Sequence, residues 1–518
     1  MSWSKLPLFS ISYTMAAPLA LQSVSSFLTS THNISALMST IILLGTFDTK
    51  GEELRYVRDK LRKHRDIDVI TIDVGRSAPA PSNDNARDTI TIPSSLVFQY
   101  GLQSDNIIVS QLSREELNKH MARGATNYVK SLFDSDNQFR CSPIPDPVHG
   151  IISLGGSFGT SLASAVMRDA CPLGFPKLIV STMASGETGT IVGETDITLM
   201  YSIVDVVGLN SILRNVLSNA AGAIVGMASA YEELLRAKQT SVSGMQPLSL
   251  RDTGSHATTL PRHIDHTRKK LVRLGITMFG VTTPCIEHIR AHLNHISSTS
   301  SCPYTFEYFI FHATGHGGLA METFIASNRL DALIDLTTTE IADHIVGGVM
   351  SAGPHRLEAA ASRGIPTILS VGAVDVVNFG QRGTVPERFK HRRLYEHNPS
   401  VTLMRTNTEE CEEIGKFIVD KLQKYRGTGP GRDGRSKTNV VEVWLPNGGV
   451  SILSCPGEPF HEQKADEALF SVIRDGLRDT GIQVVDCEQA INDKEFAIGV
   501  ADALLKVLDV YFSDDGTC

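Results

Sequence analysis

The chain has 518 residues, 42% of them hydrophobic and 20% charged, with a formal net charge of −8. That length exceeds one ordinary domain and can bury a large core, so two or more α/β units are expected. The acidic balance excludes a general nucleic-acid binder, because no basic surplus exists to replace phosphate counterions. The eight cysteines (Cys141, Cys171, Cys285, Cys302, Cys411, Cys455, Cys487 and Cys518) are scattered singly, with no CxxC pair or zinc spacing. They read as reduced thiols of a cytoplasmic protein with no metal centre.

Residues 1–40 carry one Lys, no Arg and no acid. They lack the basic n-region of a secretory signal and the arginines of a mitochondrial presequence, and are expected to be a disordered extension. No stretch is long and apolar enough to span a bilayer. From Ile41 apolar strands alternate with amphipathic helices. Ile41–Leu44 suits a buried parallel strand, Leu54, Val57 and Leu61 recur at helical spacing, and Val69–Val74 is the next strand. Ile151–Leu154 enters the glycine loop Gly155–Thr160 and then a helix, and Leu178–Val180 follows. The stretch from Glu232 to Lys270 breaks this rhythm and reads as a linker, 231–270, between lobes at 41–230 and 271–510. The second lobe places strands at Ile276–Val281, Phe306–Phe311, Ala332–Leu336, Thr367–Val371, Val440–Trp444 and Ile482–Val485. Its helices follow Pro284 and Gly318 and cover Ala465–Leu477 and Glu495–Leu508. Arg426–Lys437 is a Gly-rich basic loop, and 511–518 a tail. The fold expected is α/β, with two Rossmann-like lobes, mainly parallel sheets and an interlobe cleft.

Several loops at strand ends can carry chemistry. In Ser153-Leu154-Gly155-Gly156-Ser157-Phe158-Gly159-Thr160, glycines permit close approach to an anion and the following helix offers free N–H groups. Ser157 and Thr160 add hydroxyls. The loop is neither GxGxxG nor a Walker A sequence, and a tight turn with a helix cap is the alternative. Thr46-Phe47-Asp48-Thr49-Lys50 follows the first strand, where Lys50 suits a phosphate and Asp48 a sugar hydroxyl or metal; a capped helix with a solvated Lys50 is the plainer reading. Thr182, Ser185 and Gly186 follow a third strand in the same way. In the second lobe His312, Thr314, Gly315, Gly317 and Gly318 form another strand–glycine–helix passage. The glycine between His312 and His316 argues against a zinc pair, leaving His312 to hydrogen-bond a ligand. Thr338 and Glu340 follow the next strand, as anion ligand and base, or as a helix cap.

Together these loops resemble the family of tobamovirus-resistance-type ATP-binding proteins, uncharacterised protein family 0261. The resemblance runs from Ile41 to Leu508. It is carried by Leu44–Gly51, Leu154–Ser157, Ser181–Gly186, Gly275–Cys285, Phe311–Gly315, Ala320–Glu322, Asp335–Glu340, Val346–Met350 and Asp375–Gly380, in one order with compatible spacing. It implies paired Rossmann-like subdomains, ATP binding that admits Mg beside the nucleotide, and a homodimer. In plant members the region binds a viral replication protein. Members often add a C-terminal TIM-barrel-like domain, which is not expected before the chain stops at Cys518. Phe158 departs from a Gly-Gly-Ser-Gly-Gly-Thr pattern, and would be costly if its φ were positive.

The reading that follows is an ATP-binding two-lobed protein acting on a small carbonyl or carboxylate metabolite. Thr46, Asp48, Thr49, Lys50, Gly155, Gly156, Ser157, Gly159, Thr160, Thr182, Ser185 and Gly186 would lie around the nucleotide. His312, Thr314, Gly315, Gly317, Gly318, Thr338 and Glu340 would line the second lobe's side of a cleft. The alternative is a non-catalytic regulatory or inhibitory interaction protein gated by ATP, since no nucleophile–base pair or complete kinase motif is recognisable. A nicotinamide oxidoreductase is weakened by the missing GxGxxG and by the lack of a clear ribose carboxylate.

Overall fold

The computed structural model describes residues 39–76, 90–101, 114–133, 147–242, 269–424 and 440–513. The expected extension up to residue 38, residues 243–268 of the linker, the Arg426–Lys437 loop and the last five residues lie outside these. Two compact units divide the chain. The first takes the residues up to Cys171, Phe175–Ala184 and Leu199–Ala237; the second takes Pro172–Gly174, Ser185–Thr198 and Lys238–Cys518.

In chain order the first half runs β1 (Ser39–Gly45), α1 (Gly51–Leu61), β2 (Ile67–Asp73), β3 (Ile90–Ile92), α2 (Ser94–Gly101), α3 (Arg114–Phe133), β4 (Val148–Gly155), α4 (Ser157–Ala170), β5 (Lys177–Ser181), α5 (Gly189–Val192), β6 (Thr198–Tyr201) and α6 (Ser211–Val242). The six strands form one sheet in the order β3-β2-β1-β4-β5-β6, with β3/β2, β2/β1, β1/β4 and β4/β5 parallel. Every residue of β1 and β4 is buried. This is what a strand covered on both faces requires, and it explains their unbroken apolar runs. Leu54, Val57 and Leu61 of α1 turn inward, as do Leu213, Leu217, Ala220, Ile224 and Ala228 of α6. The helix α6 continues to Val242 through the point where the sequence rhythm breaks at Glu232. Glu232, Leu234, Leu235, Arg236 and Ala237 are good helix formers, and the Glu232–Arg236 pair at 2.5 Å ties one turn to the next.

The second half runs β7 (Lys270–Met278), α7 (Thr283–Ser298), β8 (Tyr304–His312), α8 (His316–Ala326), β9 (Ala332–Thr337), α9 (Thr339–Val346), α10 (Glu358–Arg363), β10 (Thr367–Gly372), β11 (Val376–Phe379), β12 (Leu394–Asn398), β13 (Val401–Arg405), α11 (Thr408–Lys424), β14 (Val441–Pro446), α12 (Gln463–Leu477), β15 (Gln483–Cys487) and α13 (Lys494–Ser513). Its main sheet is parallel throughout, in the order β15-β14-β10-β9-β7-β8. On one side α7 and α13 pack through Ile289, Leu293, Phe496, Val500 and Leu504. A second buried cluster joins α9, α11 and α12 through Ile341, Ile414, Ile418, Leu469 and Ile473. The antiparallel sheet β11-β13-β12 is an addition without a strong sequence signal, because its strands are only four or five residues long and β12 is largely exposed.

Candidate functional site

Strand order fixes where a ligand can enter each unit. In open parallel sheets the crevice lies outside the carboxyl ends of the two strands between which the chain order reverses. In the first unit those strands are β1 and β4, paired so that Leu44 stands beside Ser153. The loops Thr46–Lys50 and Gly155–Thr160 therefore flank one point.

The two helices that start there differ in charge. The loop before α1 closes on itself: the Thr49 and Lys50 N–H groups donate to Thr46 O, and the Thr46 and Thr49 hydroxyls are 2.8 Å apart. Helix α1 carries Glu52 and Glu53 in its first turn, and Glu53 Oε1 accepts from Gly208 N–H. Helix α4 has no acid in its first turn and no side chain capping it. An anion is disfavoured at the first helix end and favoured at the second.

The glycines of the α4 loop have separable jobs. A Cβ on Gly155 would sit 3.0 Å from Gly159 Cα, so Gly155 allows the strand and helix to close together. A Cβ on Gly156 would meet only Thr182 Oγ1, at 3.8 Å, and φ there is −81°. Packing does not require glycine at 156. Ser157 is exposed beside it, whereas Thr160 is buried and its hydroxyl pairs with Ser181 Oγ at 2.7 Å. Thr160 thus joins the ends of β4 and β5 rather than facing outward. Phe158 is not among the positive-φ residues, which are Ile203, Asn328, Leu357 and Ala373 among the described non-glycines, so it carries no left-handed strain. The expected cost at Phe158 does not arise.

Asp73 ends β2, beside β1 and one strand away from β4. Its Oδ1 accepts from Phe47 N–H at 3.1 Å and Gly75 N–H at 2.8 Å, and burial holds its pKa above the ordinary carboxylate value. Asp48 Oδ2 accepts from Arg76 N–H at 2.9 Å, and the Arg76 guanidinium lies 4.9 Å from the Phe158 ring centroid. Neither Asp73 nor Arg76 stands out in the sequence. Asp73 is one acid ending an apolar run, and Arg76 precedes a stretch without pattern.

Ser185 and Gly186 are exposed and open the segment grouped with the second unit. There the order reverses between β7 and β9. The buried centre is a charge cluster. Arg356 is fully buried and donates through both terminal nitrogens to Asp335, each at 2.6 Å, and through Nε to Glu340 Oε2 at 2.9 Å. Glu322 lies 3.5 Å from Arg356 Nη1 and accepts from Leu357 and Ala359 N–H. Burial raises the pKa of Glu322 and Glu340 even against the arginine's pull.

Glu340 also decides the fate of the glycine loop. Its Oε1 accepts from Gly315 N–H at 2.7 Å and Gly318 N–H at 3.0 Å, so the N-terminus of α8 is filled by the protein's own carboxylate. A Cβ on Gly318 would overlap Glu340, one on Gly317 would overlap His312 O, and Gly315 has φ +86°. These glycines serve packing and close approach. Thr338 is buried with its hydroxyl donating to Ser370 O, and Thr314 donates to His312 O. His312 is exposed, and desolvation beside Phe279 lowers its pKa, which keeps the ring neutral at pH 7. Of the second-unit candidates, His312 alone presents an uncommitted polar ring.

Asp343 of α9 sets a pH dependence. It is fully buried and accepts from Asn378 N–H, Asn378 Nδ2 and Met350 N–H, and burial pushes its pKa up to about 7. Among the described residues Asn378 Oδ1 has no partner, an acceptor that a protonated Asp343 could use after an amide flip. The unfolded chain releases this proton near the ordinary value of about 3.9, so between the two values the folded state holds more protons and stability falls as pH rises. The fall ends once pH passes the folded value. Asp343→Asn removes this slope. The stability of the wild type relative to the variant is expected to drop by about 3 kcal/mol between about pH 5 and about pH 8, read by urea unfolding. Parallel curves would place the ionisation elsewhere.

Two parallel sheets, each with a reversal of strand order, define a protein of two Rossmann-like α/β units. The chain belongs to the Uncharacterised protein family (UPF0261): the family's N-terminal domain matches residues 39–233 and its C-terminal domain residues 270–508. A UPF0261 protein of Clostridium tetani is 38% identical over 469 residues, covering 90% of this chain and 99% of its own length. A UPF0261 protein of Mesorhizobium japonicum is 35% identical over 466 residues, covering 90% and 98%. ToMV resistance protein Tm-1(GCR237) of Solanum lycopersicum is 33% identical over 478 residues, covering 90% of this chain; the match spans 55% of the tomato protein. No described helix is long and apolar enough to cross a membrane.

Proposed function

We propose that the first unit binds a nucleotide such as ATP, with phosphate seated on the first turn of α4 at the β1/β4 reversal. The observation that carries this reading is the contrast between the two helix ends there. The end of α1 is acidic and self-closed, while that of α4 is acid-free, uncapped and preceded by a glycine that packing does not demand. Backbone N–H groups of Ser157, Phe158 and Gly159 would hold the phosphate, with the Ser157 hydroxyl beside them. Thr46, Asp48, Thr49, Lys50 and Thr182 would form the rim, and Asp73 would stand nearest the sugar.

Calorimetric titration tests this. ATP should bind, and adenosine should bind far more weakly, because the affinity resides in the phosphates. Ser157→Ala should weaken ATP about tenfold by removing one hydrogen bond. Equal binding of ATP and adenosine would move the phosphates away from α4. A multiple-turnover assay of phosphate release then divides the two roles: consumption supports an enzyme acting on a small carbonyl or carboxylate compound, and binding without consumption supports an interaction protein gated by ATP.

A further inference from the structure

Resting on the nucleotide reading above, we propose that Arg76 binds the outer phosphates of a nucleoside di- or triphosphate, and that Phe158 is the platform that aims it. The arginine's backbone is tightly placed. Gly75 N–H donates to Asp73 and Arg76 N–H donates to Asp48, at 2.8 and 2.9 Å. A side chain on Gly75 would press against Asp48 Oδ1 at 2.7 Å, so the turn lies flat on that carboxylate. From the end of β2 the Arg76 side chain meets Phe158 in the first turn of α4.

At its far end the guanidinium lies on the Phe158 ring, and its Nε donates to Asn118 Oδ1 at 3.0 Å. The ring contact and the Nε hydrogen bond together hold the guanidinium in place. The two terminal nitrogens have no carboxylate partner among the described residues, unlike the buried Arg356 and Arg405, which are paired with Asp335 and Asp466. A guanidinium held by a ring and through its Nε keeps its terminal N–H groups for phosphate oxygens. Phe158 is 36% exposed, a large apolar ring in contact with this arginine. The phenylalanine that departs from the family's glycine pattern thus has a use.

The arrangement selects for charge at two points. One phosphate meets the α4 amides and a second meets Arg76, so a monophosphate engages only the first. Arg76→Ala, Arg76→Lys and Phe158→Leu should be titrated with ATP, AMP and sodium tripolyphosphate, with circular dichroism melts alongside. Arg76→Ala should weaken ATP and tripolyphosphate roughly ten- to hundredfold and leave AMP within about threefold. Arg76→Lys should recover part of the loss, and Phe158→Leu should fall between it and the wild type. If Arg76→Ala does not fold, the other two variants carry the same comparison. Unchanged ATP affinity in folded Arg76→Ala would overturn the proposal while the nucleotide reading stands. Equal losses for AMP and ATP would overturn the assignment to outer phosphates. A wild type that binds tripolyphosphate but not ATP, with the loss in Arg76→Ala, would uphold Arg76 and overturn the nucleotide. A wild type that binds neither would overturn both.

Discussion

Gly156→Val is expected to fold like the wild type and to lose ATP affinity about a hundredfold. Both halves of that expectation come from the room above Gly156. A Cβ at 156 meets nothing closer than Thr182 Oγ1 at 3.8 Å, and φ of −81° suits any L-residue, so the folded protein accepts the side chain. The space it fills is the space above the first turn of α4. A branched side chain there keeps a phosphate from the amides, and losing two charge-assisted hydrogen bonds costs about 3 kcal/mol. Gly155→Val is the matching control: its Cβ would press on Gly159, so that variant should lose stability whether or not ligand is present. Titration and thermal unfolding of both variants make the comparison. Wild-type ATP affinity in folded Gly156→Val would put the phosphate elsewhere and make Thr46–Lys50 the leading loop.

Arg356→Met should cost about 3–5 kcal/mol of stability in the second unit, since it strips the partner from two fully buried carboxylates. Against a typical total of about 5–15 kcal/mol this approaches unfolding. The loss goes beyond the pair, because Glu340 also holds the Gly315 and Gly318 amides and Glu322 holds the start of α10. Asp335→Asn in the same chain should return part of the stability, since one stranded charge disappears with it. Urea unfolding of the single and double variants measures this. A loss below about 1 kcal/mol would mean that the carboxylates are neutral without the arginine.

Most strands of the two main sheets were legible because each is an apolar run bounded by glycine or polar residues, and their order in the chain gave two α/β units; the short edge strands β3 and β6 were not. The loops at their ends were legible for the same reason. What each loop does was not. Gly155–Thr160 and Gly315–Gly318 look alike in sequence, and only three-dimensional placement shows that Glu340, 22 residues beyond Gly318, reaches back to fill the second. Arg356 carries no sequence signal, since its partners at 322, 335 and 340 meet it only in the folded chain. The helix from Glu232 to Val242 was masked by the polar sequence that follows it. The strands β11 to β13 are too short for periodicity to separate them from loops.

The neighbouring glycines at the end of β4 answer to different constraints. Position 155 is held by the distance between a strand and its helix, a demand present in every molecule that folds. Packing places no such demand on position 156, where on the proposed reading only the phosphate excludes a side chain. Selection on the fold would preserve the first glycine, and selection on that ligand the second. A lineage released from its ligand would be free to replace Gly156 long before Gly155, leaving in two adjacent codons a record of whether the pocket is still in use.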